Sequence, residues 1–475
     1  MHLVVRCERI FLVKSQTSFV CSNCGNVFAS WYGKCPECGE WKTLREVESL
    51  KSKVESKESG RRGRGELFSA AGEPAQFASL KQSPNSKLQS ARIVTGFGEV
   101  DRVLGGGFVS DEVVLIAGEP GVGKSTLLLG ILGKLTESIG QVVYVSSEEE
   151  GRQLEHRAER LHVPADKILF SSEKNIDNVL KGLDELISNH ASRISGHESR
   201  VTSQIKLVVF DSLQGLYTSD HDSLPGSLAQ SKEVLMRIVN FTKEKGIVSL
   251  VVGHITKEGD IAGPKFLEHM VDCVLFMEGE RVTNIRMLRA FKNRFGPTDE
   301  VGFFEIKETG IHEVPNPSQY FLDLEHEAVG KASIAVRQGV RIIFATVETL
   351  VVTTSLPYPK RVAKGIDSKR LELILAILKK YLRLSVDSYD VYVNVSGGLT
   401  VSDTLADLGV AAAIYSSLTG TVLNSRELYV GEVGLLGTVR KTNIFATIQK
   451  EAQRLGFVTI HSGASINHIS GVKKK

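Results

Sequence analysis

The sequence predicts an α/β fold: a parallel sheet flanked by helices through the middle of the chain, a second α/β unit behind it and a small cysteine-built module in front. Three observations carry this. Short β-branched runs alternate with amphipathic stretches, the runs being VVLIAG (113–118), VVYVSS (142–147), LVVFDS (207–212), IVSLVVGH (247–254) and VDCVLFM (271–277). Buried strands joined by helices, such as those expected at 126–135 and 228–244, make a parallel sheet. The pattern GxxxxGK[ST] closes the first run at 118–125, and four of the six cysteines fall within 18 residues ahead of it.

The 475 residues suggest two to four domains, and 42% hydrophobic with 24% charged residues is ordinary globular composition. A net charge of +3 from 58 basic and 55 acidic residues neither favours nor excludes nucleic acid, so any such site must be a local patch. No run of 18 apolar residues exists, which argues against a membrane span. Residues 1–16 read as an N-terminal extension. Their apolar stretch is broken by Arg6, Glu8 and Arg9 and lacks a cleavage site, so no export signal is expected, and a cytoplasmic location is.

The cysteine module spans 17–45. Cys21-Ser-Asn-Cys24 and Cys35-Pro-Glu-Cys38 are two CxxC pairs ten residues apart, each followed by glycine. Two such knuckles present four thiolates in a tetrahedron, the closed set of a structural Zn²⁺ site. Cys7 and Cys273 read as unliganded thiols, Cys273 as core filler within a strand. Residues 46–90, including KSKVESKESGRRGRGE, are charged and Gly/Ser-rich and read as a flexible basic linker. A solvated tether is favoured there over phosphate contact.

The ATPase-type core is expected over 91–315. Gly118-Glu119-Pro120-Gly121-Val122-Gly123-Lys124-Ser125-Thr126 follows a strand and opens a helix, the setting a phosphate-binding loop requires. Backbone N–H groups and the helix N-terminus would face the phosphates of ATP. Lys124 would reach the β- and γ-phosphates and Ser125 would ligate Mg²⁺. Asp211 ends a strand, where ligand groups collect in open α/β sheets, and is the candidate for holding Mg²⁺ through water, with a plain helix cap the weaker alternative. Glu148, first of three acids after VVYVSS, is the candidate for orienting and deprotonating the attacking water; Glu149 and Glu150 read as surface. His254, at another strand end, could sense the γ-phosphate or be structural.

Residues 281–296 hold five basic residues and no acid. Lys292 and Arg294 are two apart and on a strand would share a face. Three roles fit: DNA phosphate contact, stabilising charge on a neighbouring subunit's ATP, or a solvated strand edge that blocks aggregation. Spacing alone slightly favours the last. Pro315 and Pro317 mark a boundary, and a separate α/β unit is expected over 325–475, with strands near 342–347 and 389–395, helices at 368–381 and 405–418, and a disordered basic tail at GVKKK.

Taken in order, the C4 motif, GEPGVGKST, YVSSEEE, LVVFDS, GHITKEG and Lys292-Asn-Arg-Phe-Gly296 resemble the RadA (Sms) family of bacterial DNA repair proteins from about residue 18 onward. The resemblance implies a RecA-like P-loop ATPase assembling as a homo-hexamer. It also implies binding of single-stranded and branched DNA, and branch migration alongside a RecA-type recombinase. It raises Lys292 and Arg294 to functional candidates. The C-terminal unit resembles the Lon protease domain, a ribosomal S5-type α/β module, with Leu405 where the nucleophilic serine and Ala446 where the lysine would stand. Hydrocarbon side chains cannot attack a carbonyl, so peptidase activity is not expected. Lys369, Arg370 and Lys379 are DNA-contact candidates there. Departures include Ser147 where the family typically has glycine and Glu150 where it has serine. A nucleotide-binding zinc adaptor without motor activity is the competing reading.

Overall fold

The computed structural model describes residues 17–21, 27–28, 30–36, 41–48, 92–192, 205–254, 266–279 and 284–474. The expected N-terminal extension, nearly all of the linker and two of the four zinc ligands, Cys24 and Cys38, lie outside the described residues.

The N-terminal module is a three-stranded antiparallel sheet of β1 (Thr17–Cys21), β2 (Val27–Phe28) and β3 (Leu44–Glu48), in the order β2-β1-β3. The central domain runs α1 (Gly98–Leu104), β4 (Val113–Gly118), α2 (Lys124–Ser138), β5 (Val142–Ser146), α3 (Gly151–Arg160), β6 (Ile168–Ser171), α4 (Ile176–Ser192), β7 (Leu207–Asp211), α5 (Leu228–Lys245), β8 (Val248–His254), α6 (Phe266–Met270), β9 (Cys273–Glu278), β10 (Ile285–Asn293), β11 (Val301–Lys307) and β12 (Gly310–Glu313). Its nine-stranded sheet has the order β12-β11-β10-β9-β4-β8-β7-β5-β6. Strands β6 to β9 pair in parallel around β4, as the β-branched runs predict. The strands from β9 through β12 are antiparallel, which the sequence reading did not anticipate. Seven residues separate β10 from β11 and two separate β11 from β12, too few for a helical crossover, and antiparallel pairing is the outcome such connections allow.

Strand β4 explains why the parallel part needs two layers of helix. Val114 and Ile116 enter the core shared with α1 and α2, whereas Val113, Leu115 and Ala117 enter the core shared with α4 and α5. All six residues of β4 are buried, as period-two alternation in a doubly covered strand requires.

After α7 (Ser318–Phe321) come β13 (Lys331–Gln338), β14 (Arg341–Thr353), β15 (Arg361–Lys364), α8 (Ser368–Leu382), β16 (Tyr389–Val395), α9 (Asp407–Thr419), β17 (Glu427–Tyr429), α10 (Phe445–Arg454) and β18 (Thr459–His461). The six-stranded sheet is ordered β15-β16-β14-β13-β17-β18. The expected boundary at Pro315 does not separate two cores: Ile285, Val301, Phe303 and Val314 pack into the same cluster as Ile334, Ile343 and Leu371. Arg341 crosses from the second domain to buried Glu99 on α1 at 2.5 Å, and Glu99 also accepts from Phe303 N–H at 3.0 Å. The C-terminal GVKKK is corrected as well. Residues 469–474 form a 3₁₀ turn whose Ile469 and Val472 are buried, because the two apolar side chains find a place against the second domain.

One acid at the base of the central sheet stands out. Glu112 is buried just before β4 and accepts from Val109 N–H at 2.8 Å. Burial pushes its carboxyl up from 4.5 to about 7, and the Asp272 charge adds to the shift against the opposing pull of Val109 N–H, Arg92 and Lys243. The folded state therefore binds this proton more tightly than the unfolded chain, and the protein loses stability as pH rises from 4.5 to about 7. The loss is on the order of 3 kcal/mol at pH 8. Glu112→Gln keeps an acceptor for Val109 and removes the charge. It is expected to raise the melting temperature at pH 8 by roughly 5 °C and leave it unchanged near pH 5, which thermal melts at the two pH values measure.

Candidate active site

The loop after β4 takes backbone shapes that side chains resist. Gly123 has φ +115°, and a Cβ on Gly118 would lie 2.4 Å from the Met277 carbonyl. Glycine at these points lets the loop curl so that α2 begins at Lys124, with Ser125 and Thr126 on its first turn. Glu119, Pro120 and Gly121 are exposed on the outer curve, while Val122 is buried in the core. Arg286 of β10, itself buried, donates from Nε to the Val122 carbonyl at 3.0 Å and props the loop from behind.

Lys124 is 5% exposed, and its Nζ donates to Gly118 O at 2.8 Å and Glu119 O at 3.0 Å. Burial lowers its pKa, against the charges of Asp211 and Glu148. Asp211 ends β7 and is buried, accepting from the Tyr144 hydroxyl at 2.5 Å. Burial and the neighbouring Asp211 carboxylate push the Tyr144 phenol far up, so Tyr144 stays a donor.

The three acids after β5 separate by role. Glu149 pairs with Arg157, and Glu150 caps α3 in a reciprocal arrangement with Gln153. Glu148 turns to the strand tips: its Oε1 accepts from the Ser212 hydroxyl and lies 3.0 Å from His254 Nε2. The other ring nitrogen, Nδ1, is 3.5 Å from Lys124 Nζ, so His254 bridges the acid and the lysine. Burial raises the Glu148 pKa, but the hydrogen bonds from Ser212 and His254 and the Lys124 charge outweigh it and hold the carboxyl below its ordinary range.

Several participants escaped the sequence reading. Ser212 is one. Buried Ser147 clamps it, its Oγ accepting from Ser212 N–H at 3.0 Å and donating to Ser212 O at 2.9 Å. Gly215 makes room for that clamp, since a Cβ there would lie 2.1 Å from the Ser147 hydroxyl. Gln214 brackets the His254 backbone with two 3.4 Å contacts. The serine after Asp211 and the glutamine two residues on were visible as polar residues at a strand end, but nothing local told which would turn inward.

Lys292 and Arg294 are not part of this cluster. Register places Asn293 opposite Cys273, and Cys273 opposite Val114, at the start of β4. The loop lies at the other end of that strand, roughly 13 Å away at 3.3 Å per residue. The expected shared strand face is also corrected. The ladder slips between Ala290 and Lys292 and the strand ends at Asn293, so alternation does not reach Arg294. The two cations meet at the corner between α6 and β9 instead. Lys292 Nζ donates to the carbonyls of Glu268 at 2.8 Å and Val271 at 2.6 Å, while Arg294 reaches buried Asp272 at 3.2 Å. Arg294 keeps 55% of its side-chain surface exposed.

Among the C-terminal candidates, Arg370 is corrected: it forms an ion pair with buried Asp407 and donates to Val433 O at 3.1 Å, which ties down α8 and leaves its guanidinium engaged. Lys379 pairs with Asp387, and Lys369 is exposed. Leu405 is buried in a core cluster with Phe344 and Ile448, and Ala446 is exposed on the first turn of α10.

In the N-terminal module Cys21 and Cys35 are buried, and among the described residues they cluster with buried Leu44. Two buried thiols at the meeting of its strands suit a tetrahedral Zn²⁺, for which Cys24 and Cys38 complete the set in sequence. For Mg²⁺, the hydroxyl of Ser125 and the carboxylate of Asp211 supply the hard oxygen donors it takes.

These features define a RecA-type P-loop ATPase domain behind a zinc ribbon. A family model described as KaiC, of the ATPase type, matches residues 93–318, and one described as the rubredoxin metal binding domain matches residues 19–46. The chain is 40% identical over 447 residues to DNA repair protein RadA of Brucella abortus (strain 2308), covering 94% of this chain and 91% of that one. It is 39% identical over 452 residues to DNA repair protein RadA of Bacillus subtilis (strain 168), covering 94% and 92%. The chain belongs to the RadA family of DNA repair proteins. No helix among the described residues is long and apolar enough to cross a membrane.

The two-pair zinc set generates a separable test. Cys35→Ser is expected to lose bound zinc and the sheet of β1 to β3, with the melting of the ATPase domain unchanged. Metal analysis and calorimetry on the full chain read the two effects, and retained zinc would disprove the ligand assignment.

Proposed function

We propose that this chain is a DNA-dependent ATPase of DNA repair that binds single-stranded and branched DNA, acts as a homo-hexameric ring and promotes branch migration with a RecA-type recombinase. The observation that carries the ATPase chemistry is the Glu148 carboxylate, held by Ser212 and His254 beside Lys124. Water attacks the γ-phosphorus in line, the bond to the ADP oxygen breaks, and Glu148 takes the proton from the attacking water. A carboxyl held below its ordinary range is ionised at neutral pH, as a proton acceptor must be. Lys124 exchanges the carbonyls of Gly118 and Glu119 for phosphate oxygens, and the N-terminus of α2 adds to its positive potential. Ser125 and Asp211 would hold Mg²⁺, which when bound would neutralise charge on the phosphates.

The ring is supported by the position of Lys292 and Arg294. They lie at the opposite end of the sheet from the loop of their own subunit, so an ATP they serve belongs to a neighbour. One end of the sheet carries the loop and Glu148, and the other carries Arg294. A head-to-tail contact joining such ends closes into a ring when the rotation permits. The peptidase alternative has neither nucleophile nor base, since Leu405 is core and Ala446 is a surface methyl.

The primary test compares ATP turnover by wild type and Lys124→Ala, with and without single-stranded DNA; equal rates in all four reactions would end this reading. Glu148→Gln is expected to lower kcat roughly 100-fold or more while nucleotide binding persists. Ser212→Ala removes a donor to Glu148, so the acid limb of the kcat–pH profile should move to higher pH. Mixing Lys124→Ala with Arg294→Ala protein should restore activity at about a quarter of the interfaces, because only the mixture pairs an intact loop with an intact arginine. No recovery on mixing would refute action between subunits.

A further inference from the structure

We propose that the two indoles of the zinc module, Trp31 and Trp41, form a platform on which bases of single-stranded DNA stack, with Lys34 and Lys42 receiving the phosphates. The proposal rests on the DNA-dependent reading above and names a binding site for it outside the ATPase domain.

The largest apolar side chains of the module are not in its core. Among the described residues that core holds Cys21, Cys35 and Leu44, with Phe19 and Phe28 packed against it. Trp31, Tyr32 and Trp41 are instead 59%, 46% and 68% exposed. Leaving indoles in water forgoes the burial that would otherwise favour them inside. Three large rings left in water within one small module point to a ligand.

The backbone holds the two rings together. Lys34 bridges Trp41 across the two loops, and Lys42 N–H donates to Gly33 O at 3.0 Å. A Cβ on Gly33 would stand 3.7 Å from the Trp31 ring and 3.9 Å from the Trp41 ring. Both indoles therefore flank one glycine, whose missing side chain leaves the space between them open. Tyr32 is steadied edge-to-face on Phe28, ring centroids 5.8 Å apart.

Cations are interleaved with the rings. Lys34 Nζ lies 5.9 Å from the centre of the Trp41 ring, and Lys34 and Lys42 are both exposed. Stacking faces beside lysines match a strand that alternates π-faces with phosphates, and every base offers such a face regardless of sequence. A protein partner would be expected to meet indoles in an apolar surround with the charges at its rim; here an ammonium stands over the indole itself.

The chain contains two tryptophans, and both are in this platform. Intrinsic tryptophan emission of the full-length zinc-loaded protein therefore reports on this site alone. Oligo(dT) is expected to quench that emission, whereas an abasic oligonucleotide of equal length and charge leaves it nearly unchanged. By anisotropy of labelled oligo(dT), the double variant Trp31→Ala/Trp41→Ala should bind roughly tenfold more weakly or worse. Trp31→Phe/Trp41→Phe should recover most of the affinity, and unchanged zinc content in both variants separates stacking from misfolding. Oligo(dT) bound without quenching, or bound equally by the double alanine variant, would overturn the platform alone and leave the surface to a protein partner. Failure of the wild type to bind oligo(dT) at all would overturn the DNA reading together with it.

Discussion

A buried ammonium at the positive end of a helix is the arrangement around which the rest is built. Lys124 is almost fully buried at the first residue of α2, where the helix dipole and its own charge have the same sign. Two loop carbonyls and the nearby carboxylates of Asp211 and Glu148 hold it there. A triphosphate supplies the missing negative charge at the place where loop N–H groups, dipole and lysine converge. Each strand tip then has a reason for its residue. Tyr144 fixes Asp211, Ser212 and His254 fix Glu148, and Gln214 fixes the backbone that presents His254. The parallel order β5-β7-β8-β4 is what sets these tips side by side.

Much of this was legible in the sequence because it is local. A phosphate-binding loop is a backbone shape dictated by consecutive glycines, and its strand and helix are read from their own periodicities. Asp211 and Glu148 are likewise marked by standing at the ends of β-branched runs. Other features depend on partners far away in the chain. Nothing near Ser212 says that Ser147, 65 residues earlier, will grip its peptide. Arg370 looks like a free surface cation until α9 brings Asp407 against it. Lys292 and Arg294 appeared to share a strand face, and the end of the strand at Asn293, invisible in composition, breaks that alternation.

Strand β10 brings these distant relations into one element. Arg286 at its start touches the carbonyl of Val122 behind the phosphate loop. Arg289 in its middle reaches Gln338 of the second domain at 2.5 Å. Lys292 and Arg294 at its end lie at the far edge of the sheet. Three arginines and a lysine on nine or so successive residues thus contact the nucleotide loop, the neighbouring domain and the surface proposed to face another subunit. A paired strand does not stretch, so a shift of the loop against Arg286 is carried along β10 or absorbed by its bulge between Ala290 and Lys292.

The second domain limits which of those outcomes is available. Its core is continuous with Ile285, Val301 and Phe303, and Arg341 is bound to Glu99 on α1 and lies over the Phe303 ring at 5.3 Å. Strands β10 and β11 are therefore held along one flank by a packed hydrophobic interface with little void to yield into. Met287 and Arg289 face the second domain, whereas Phe291 and Arg294 at the far end are exposed. The end of β10 is instead pinned by its own bonds, Lys292 to the carbonyls of Glu268 and Val271 and Arg294 to Asp272. The second domain thus braces the flank of the strand whose tip carries Arg294.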